Sequence, residues 1–122
     1  MQIIKQETKQ YDLEDRTFEF AKGVRMFVKK LPRTIGNIED GKQLVRSSGS
    51  MGANYIEANE ALSKKDFVMR IRISRKESKE SRYWLRLVDV GDLSELEVVR
   101  EKLIDESSQL MMIFSAIMRK SQ

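Results

Sequence analysis

Histidine and cysteine are both absent from the 122 residues, and proline occurs once, at Pro32. The missing histidine removes the commonest general base and the commonest transition-metal ligand together. The missing cysteine removes thiolate chemistry and any disulfide framework, as suits a reducing compartment. No run of 18 apolar residues occurs, so no membrane-spanning helix is expected. The N-terminal MQIIKQETKQYDLEDR lacks the apolar core of a signal peptide, which makes a cytoplasmic location the expectation.

What is present is charge and helical periodicity. Hydrophobic residues make up 40% and charged residues 34% of the chain, a balance that fits one helical domain spanning residues 1–122. That length suffices to bury about two-thirds of the unfolded surface. Residues 1–11 are polar and are expected to be loosely held. Asp12 caps a first helix over 12–30 with Leu13, Phe20, Val24, Phe27 and Leu31 inward and Phe18 and Val28 beside them; Pro32 ends it. Gly36-Asn37 reads as a turn before a second helix over 39–61.

The stretch from Gln43 to Leu87 carries the strongest pattern. Leu44, Ser48, Met51, Tyr55, Ala58 and Leu62 make one seam. Ser63, with Asp66 three residues on, opens a helix over 64–90 whose seam is Phe67, Ile71, Ser74, Ser78, Ser81 and Leu85. Gly49 and Gly52 interrupt the second helix at a cost of ~0.5–1 kcal/mol each, which points to the close approach of another backbone. A phosphate-cradling loop is rejected, because Gly-x-x-Gly here follows no strand and no Gly-Lys-Ser/Thr comes after it. Ser94 with Glu97 suggests a capping box for a last helix over 95–119, with Leu96, Val99, Leu103, Leu110, Ile113 and Ile117 inward. Met111, Met112, Phe114 and Met118 extend its apolar surface around the helix, to be buried centrally or against another subunit. The simplest assembly is an all-α, antiparallel up-and-down four-helix bundle.

The run SSGSMGANYIEANEALSKKDFVMRIRISRKESKESRYWLRL resembles the signature of the bacterial four helix bundle protein family, also called ribosomal RNA intervening-sequence proteins. It is similar as well to the accessory variability determinant of diversity-generating retroelements. The motifs behind the likeness are Asp12-Leu13 with Phe18 and Phe20, Gln43-Leu44, Gly52-Ala53-Asn54-Tyr55, Glu57-Ala58, Asp66-Phe67, Lys76-Glu77, Glu80-Ser81 and Tyr83-Trp84-Leu85. The resemblance implies a four-helix subunit in a ring-like homopentamer with no established enzymatic activity. It also implies nucleic-acid and reverse-transcriptase binding, among the retroelement relatives.

Two constellations remain. Glu57, Glu60, Glu77 and Glu80 form two Glu-x-x-Glu pairs, but a di-metal bundle site wants Glu-x-x-His on two helices, and no histidine exists. No metal or cofactor is therefore expected. Folding the hairpin at Leu62-Ser63 instead pairs Arg70 with Glu57 and Arg46 with Glu80 as structural ion pairs. The charge is also polarised: Lys64 to Arg86 holds nine Lys/Arg against three Asp/Glu, and Ser94 to Met118 two against five. Arg72, Lys76, Lys79 and Arg86 share one helical row with Tyr83, flanked by Arg75 and Arg82. A basic stripe with an aromatic among its cations suits phosphate contact and base stacking, and RNA is the expected ligand. The same face could instead serve a protein-interaction scaffold that recruits a nucleic-acid enzyme, or be a solvated surface ion-paired to an acidic helix of the same or a neighbouring subunit. An enzyme has no nucleophile, base or cofactor motif to stand on.

Overall fold

Four helices account for nearly all of residues 12–121, which the computed structural model describes: α1 Leu13–Lys29, α2 Ile35–Asn59, α3 Lys64–Leu87 and α4 Ser94–Ser121. The expectation for residues 1–11 lies outside the described residues. Asp12 caps α1, its carboxylate accepting from the backbone N–H groups of Glu14 and Asp15 at 3.0 and 3.3 Å. Ser63 caps α3 in the expected way, its hydroxyl accepting from Asp66 N–H at 3.0 Å.

The sequence reading is corrected at three places: α3 ends at Leu87 rather than 90, because Val88 takes extended backbone (φ −64°, ψ 153°), and two helix starts differ. α2 begins at Ile35 rather than near 39, because Thr34 Oγ1 accepts from Asn37 N–H at 3.0 Å and the Thr34 carbonyl accepts from Ile38 N–H. Gly36-Asn37 is thus a first helical turn and not a link. The Ser94–Glu97 capping box does not form among the described contacts. The Leu93 carbonyl takes the N–H groups of Leu96 and Glu97, while the Glu97 carboxylate turns to Arg100 at 2.6 Å.

Asn37 then ties the two connections at one end together. Its Nδ2 donates to the carbonyls of Pro32 and Asp89, at 2.9 and 2.8 Å, and its Oδ1 accepts from Asp89 N–H. Gly91 sits in this end with φ of +66°, a left-handed conformation that favours glycine, and an added Cβ would stand 3.2 Å from Pro32 Cγ.

Each helix packs on its neighbour in sequence, and α4 closes thinly on α1. The contacts Asn54–Arg70, Met51–Ser74 and Ser47–Ser81 run in opposite directions along α2 and α3, which makes the pair antiparallel. The all-α up-and-down four-helix bundle is therefore the observed architecture. Its core joins Phe20, Val24 and Phe27 of α1 to Phe114 and Leu110 of α4, across Leu44, Met51, Ile71 and Leu85.

The small-residue seam is hydrogen-bonded as well as narrow. Ser47 and Ser81 share a bond of 2.9 Å, Ser74 donates to the Met51 carbonyl at 2.9 Å, and Ser78 donates to the Ser74 carbonyl. Each hydroxyl is fully buried and partnered, as a polar core requires. Gly52 meets α1: a Cβ there would lie 2.7 Å from Thr17 Oγ1. The close approach is to the Thr17 side chain, with the nearest Thr17 backbone atom 3.9 Å away, whereas a Cβ at Gly49 would meet only the end of the Arg25 side chain at 3.2 Å.

Other placements correct the sequence reading. Leu62 is fully exposed, because α2 stops at Asn59 and leaves it in the turn. Phe18, expected beside the inward face of α1, is also open to solvent. In α4 the innermost row is Leu96, Ser107, Leu110, Phe114 and Met118, whereas Val99 is exposed and Ile113 and Ile117 are half-buried. The C-terminal turns thus bury Phe114 and Met118 within the subunit and leave Met112 outside.

Candidate nucleic-acid interface

α3 divides into three faces. Ile71, Ser74, Ser78, Ser81 and Leu85 point into the core. Arg70, Glu77, Glu80 and Trp84 face α2, and Arg82 faces α4, where it donates to Ser108 Oγ at 3.3 Å. The remaining side is the solvent face.

On that face stand Arg72, Lys76, Lys79, Tyr83 and Arg86, all exposed, so the structure brings together the row read from the spacing. Arg75 and Arg82 are half-buried beside it, and Arg75 Nε is buried without a hydrogen-bond partner among the described atoms. Tyr83 is 55% exposed, and its ring meets Trp84 edge-on with centroids 5.0 Å apart. The row continues past Arg72 to Lys65, over a shallow concavity of about 650 Å³ lined by Lys64, Lys65, Met69 and Arg72. Spacing alone could have extended the stripe there, since Lys65, Met69 and Arg72 follow the same four-three step.

None of Arg72, Lys76, Lys79, Arg82 or Arg86 forms an ion pair with a described carboxylate. The acidic residues of α4 are directed elsewhere: Glu106 pairs with Arg16 of α1 at 2.7 Å, and Glu97 with Arg100 at 2.6 Å. The reading in which the stripe is neutralised by α4 of its own subunit therefore finds no support among the described residues. Hydrogen bonding to Glu106 raises the Arg16 pKa above its ordinary value, and hydrogen bonding to Arg100 lowers that of Glu97.

The α2-facing edge carries the ion pairs. Arg46 reaches Glu80 at 2.7 Å, the partner read from the hairpin register, and also Glu77 at 3.3 Å. Both hydrogen bonds raise the Arg46 pKa. Burial pushes the Glu80 pKa up, but hydrogen bonds from Trp84 Nε1 and Arg46, with Lys76 nearby, outweigh it and leave the group below its ordinary value.

The second pair is different. Arg70 donates to Asn54 Oδ1 at 2.9 Å and not to Glu57. Glu57 lies on an exposed row of α2 with Ile56, while Asn54 and Ser50 occupy the row that faces α3. Ser50 in turn donates to Glu77 Oε2 at 3.4 Å. A polar ladder thus runs Arg70–Asn54–Ser50–Glu77–Arg46–Glu80–Trp84 across the α2–α3 interface. Sequence reasoning gave Arg46 to Glu80 alone, and so missed Glu77 as its second partner and Ser50 and Asn54 beyond it, although the spacing of four between those two was readable. The carboxylates are spread along this ladder or exposed, and no group of three or more among the described residues could hold a metal ion.

The residues that make the sequence distinctive, Gly52, Asn54, Glu77, Glu80, Ser81 and Trp84, are therefore engaged in joining α1, α2 and α3. The solvent face of α3 is left with cations, Tyr83 and the exposed apolar side chains of Met69 and Leu87. No described helix is long and apolar enough to cross a membrane.

Comparison with known proteins agrees with this architecture. A family model described as 23S rRNA-intervening sequence protein matches residues 9–115. A crystal structure of a protein of unknown function from the S23 ribosomal protein family of Bacteroides thetaiotaomicron superposes with a TM-score of 0.70 at 29% identity, covering 86% of this chain and 96% of that one. No curated protein matches.

Proposed function

The chain belongs to the 23S rRNA-intervening sequence protein family, and from that premise we propose that it is a non-enzymatic module that binds RNA through the solvent face of α3. The observation that carries the reading is the exposed row Arg72, Lys76, Lys79, Tyr83 and Arg86, whose cations form no ion pair with a described carboxylate, Lys76 alone lying near one, Glu80. Unneutralised cations release counterions when they meet phosphates, and that release drives binding. Tyr83, more than half exposed, offers a ring for an unpaired base. Arg82, tied to Ser108 of α4, and the half-buried Arg75 flank the row and contribute field more than contact.

The ring-like homopentamer of the resemblance would repeat the face, so that weak contacts at each subunit add through effective concentration. The runner-up is a scaffold that captures a nucleic-acid-associated protein through the same face.

The test reverses Lys76 and Lys79 to glutamate. RNA binding should fall at least tenfold while helix content and oligomeric mass stay unchanged. Capture from a lysate with and without nuclease then separates the readings: partners lost on nuclease treatment fit RNA binding, and partners retained with no affinity for purified RNA fit the scaffold.

A further inference from the structure

The exposed side of α3 carries apolar surface towards both of its ends. Near its N-terminus, Val68 and Met69 line the concavity of about 650 Å³ together with Lys64, Lys65 and Arg72, and Ser121 at the end of α4 completes it. Met69 is 42% exposed there, and Val68 is half-buried. The lining holds no carboxylate, and Lys64, Lys65 and Arg72 form no ion pair with a described one. Ser121 donates its hydroxyl to the Ile117 carbonyl at 2.8 Å and so adds no charge. Towards the other end stands Tyr83, with Leu87 one turn further on and 50% exposed.

Met69 and Tyr83 are fourteen residues apart, close to four whole turns, so they share one side of the helix at a separation of ~21 Å. Between them on that side stand Arg72, Lys76 and Lys79, all exposed. The order along α3 is therefore an apolar seat, three cations and an aromatic seat. Glu80, the carboxylate near Lys76, is taken up on the α2 side by Arg46 and Trp84.

That order distinguishes two forms of RNA. In a duplex the base faces are stacked on one another, and a protein meets phosphates, hydroxyls and groove edges. Such a ligand uses the three cations and gains nothing from Met69 or the Tyr83 ring. A single strand presents phosphates and free base faces together, and a base face stacks on an aromatic side chain whatever its sequence. An apolar concavity lined by cations and no carboxylate suits a base that arrives with its own phosphate.

We infer that the α3 face is a site for single-stranded RNA with two base seats, the Tyr83 ring and the Val68–Met69 concavity, joined by a backbone track over Arg72, Lys76 and Lys79. Single-strand preference rests on the RNA-binding reading of this face and adds to it the strand form and the second seat. A strand that occupies both seats crosses only the ~21 Å between them, so a short oligonucleotide fills the site.

The test is fluorescence anisotropy of the full chain with labelled, unstructured RNA oligonucleotides of ~4–16 nucleotides, the size range of single-strand sites, and with the same strands annealed to their complements. On phosphate density alone the duplex would bind more tightly. Two base seats should instead favour the single strand by at least about fivefold at matched length and salt, with affinity levelling off in the lower half of the length range. Tyr83→Ala should lower single-strand affinity at least about fivefold, and Met69→Ser by a smaller factor that adds to it in the double variant. Both should leave duplex affinity and the salt slope as they were, since no cation is lost. Both side chains are exposed, so helix content should not change. A duplex bound as tightly as the single strand, or a Tyr83→Ala or Met69→Ser protein that binds single strands like the wild type, would overturn the inference; if Lys76→Glu with Lys79→Glu still removes binding, the RNA-binding reading survives that result. Absence of salt-dependent binding to either form would overturn both.

Discussion

Replacing Gly52 with alanine sets two effects against each other, and the structure decides which wins. In a helix interior the change favours alanine by ~1 kcal/mol on propensity alone. Against this, the new Cβ would stand 2.7 Å from Thr17 Oγ1, closer than such atoms approach, and 3.1 Å from Thr17 Cβ, a tight contact. Thr17 cannot swing away. It is 1% exposed, and its hydroxyl is committed to the carbonyls of Leu13 and Glu14 at 3.0 Å each. Overpacking of this kind costs ~1–3 kcal/mol, and with no flexible side-chain end to absorb it the upper part of that range applies. The net expectation is destabilisation of ~1–2 kcal/mol, a fall of several degrees in Tm for a chain of this size. Gly36 is the control, since nothing lies within 4 Å of its added Cβ and the residue is exposed in α2. Gly36→Ala should stabilise by up to ~1 kcal/mol. Urea unfolding of both variants measures the difference. A Gly52→Ala protein as stable as the Gly36→Ala protein would refute the close-approach argument.

Three further outcomes follow from the α2–α3 ladder and the core. Arg46→Met leaves the buried Glu77 carboxylate with only Ser50, and should cost ~3 kcal/mol by urea unfolding, the low end for a broken buried pair because Arg46 is itself half-exposed. Glu80 is held below its ordinary value of 4.5, so its contribution is fully present above that pH and is lost as pH falls through the lower folded value; thermal melts should show a loss of stability confined below pH ~4.5 that Glu80→Gln reduces. Phe27→Ala, at a side chain 1% exposed, should cost ~3–5 kcal/mol, whereas Trp84→Ala and Phe67→Ala, both half-buried, should cost less than Phe27→Ala in the same assay.

The fold was legible because the four-three periodicity is strong and the caps at Asp12 and Ser63 obey local rules. The core seam of α3 could be read almost residue by residue, serines included. The errors lie where two local signals compete. Gly36-Asn37 carries turn chemistry, yet Thr34 after Pro32 caps a helix, and the cap won because Asn37 was needed to bind Asp89 across the end of the bundle. Ser94–Glu97 has the spacing of a capping box, but Arg100 one turn on offers Glu97 a charged partner. The hairpin register located Arg46 against Glu80 and failed for Arg70. Axial level was the right quantity, but rotation about α2 decides whether Asn54 or Glu57 faces α3. The exposed row of α3 followed from period alone.

The central claim rests on unneutralised cations meeting phosphates, and the measurement that reaches it most directly is the salt dependence of RNA binding. With three to five of the α3 cations engaged, the slope of log affinity against log salt should lie at about −2 to −3.5 per subunit for single-stranded RNA, at ~0.7 per neutralised phosphate, and removing Lys76 and Lys79 should flatten it by ~1.4. Fluorescence anisotropy with a labelled RNA between ~50 and ~200 mM salt reads both quantities. An affinity that does not change with salt, or a slope unaltered in the Lys76→Glu/Lys79→Glu protein, would contradict the account.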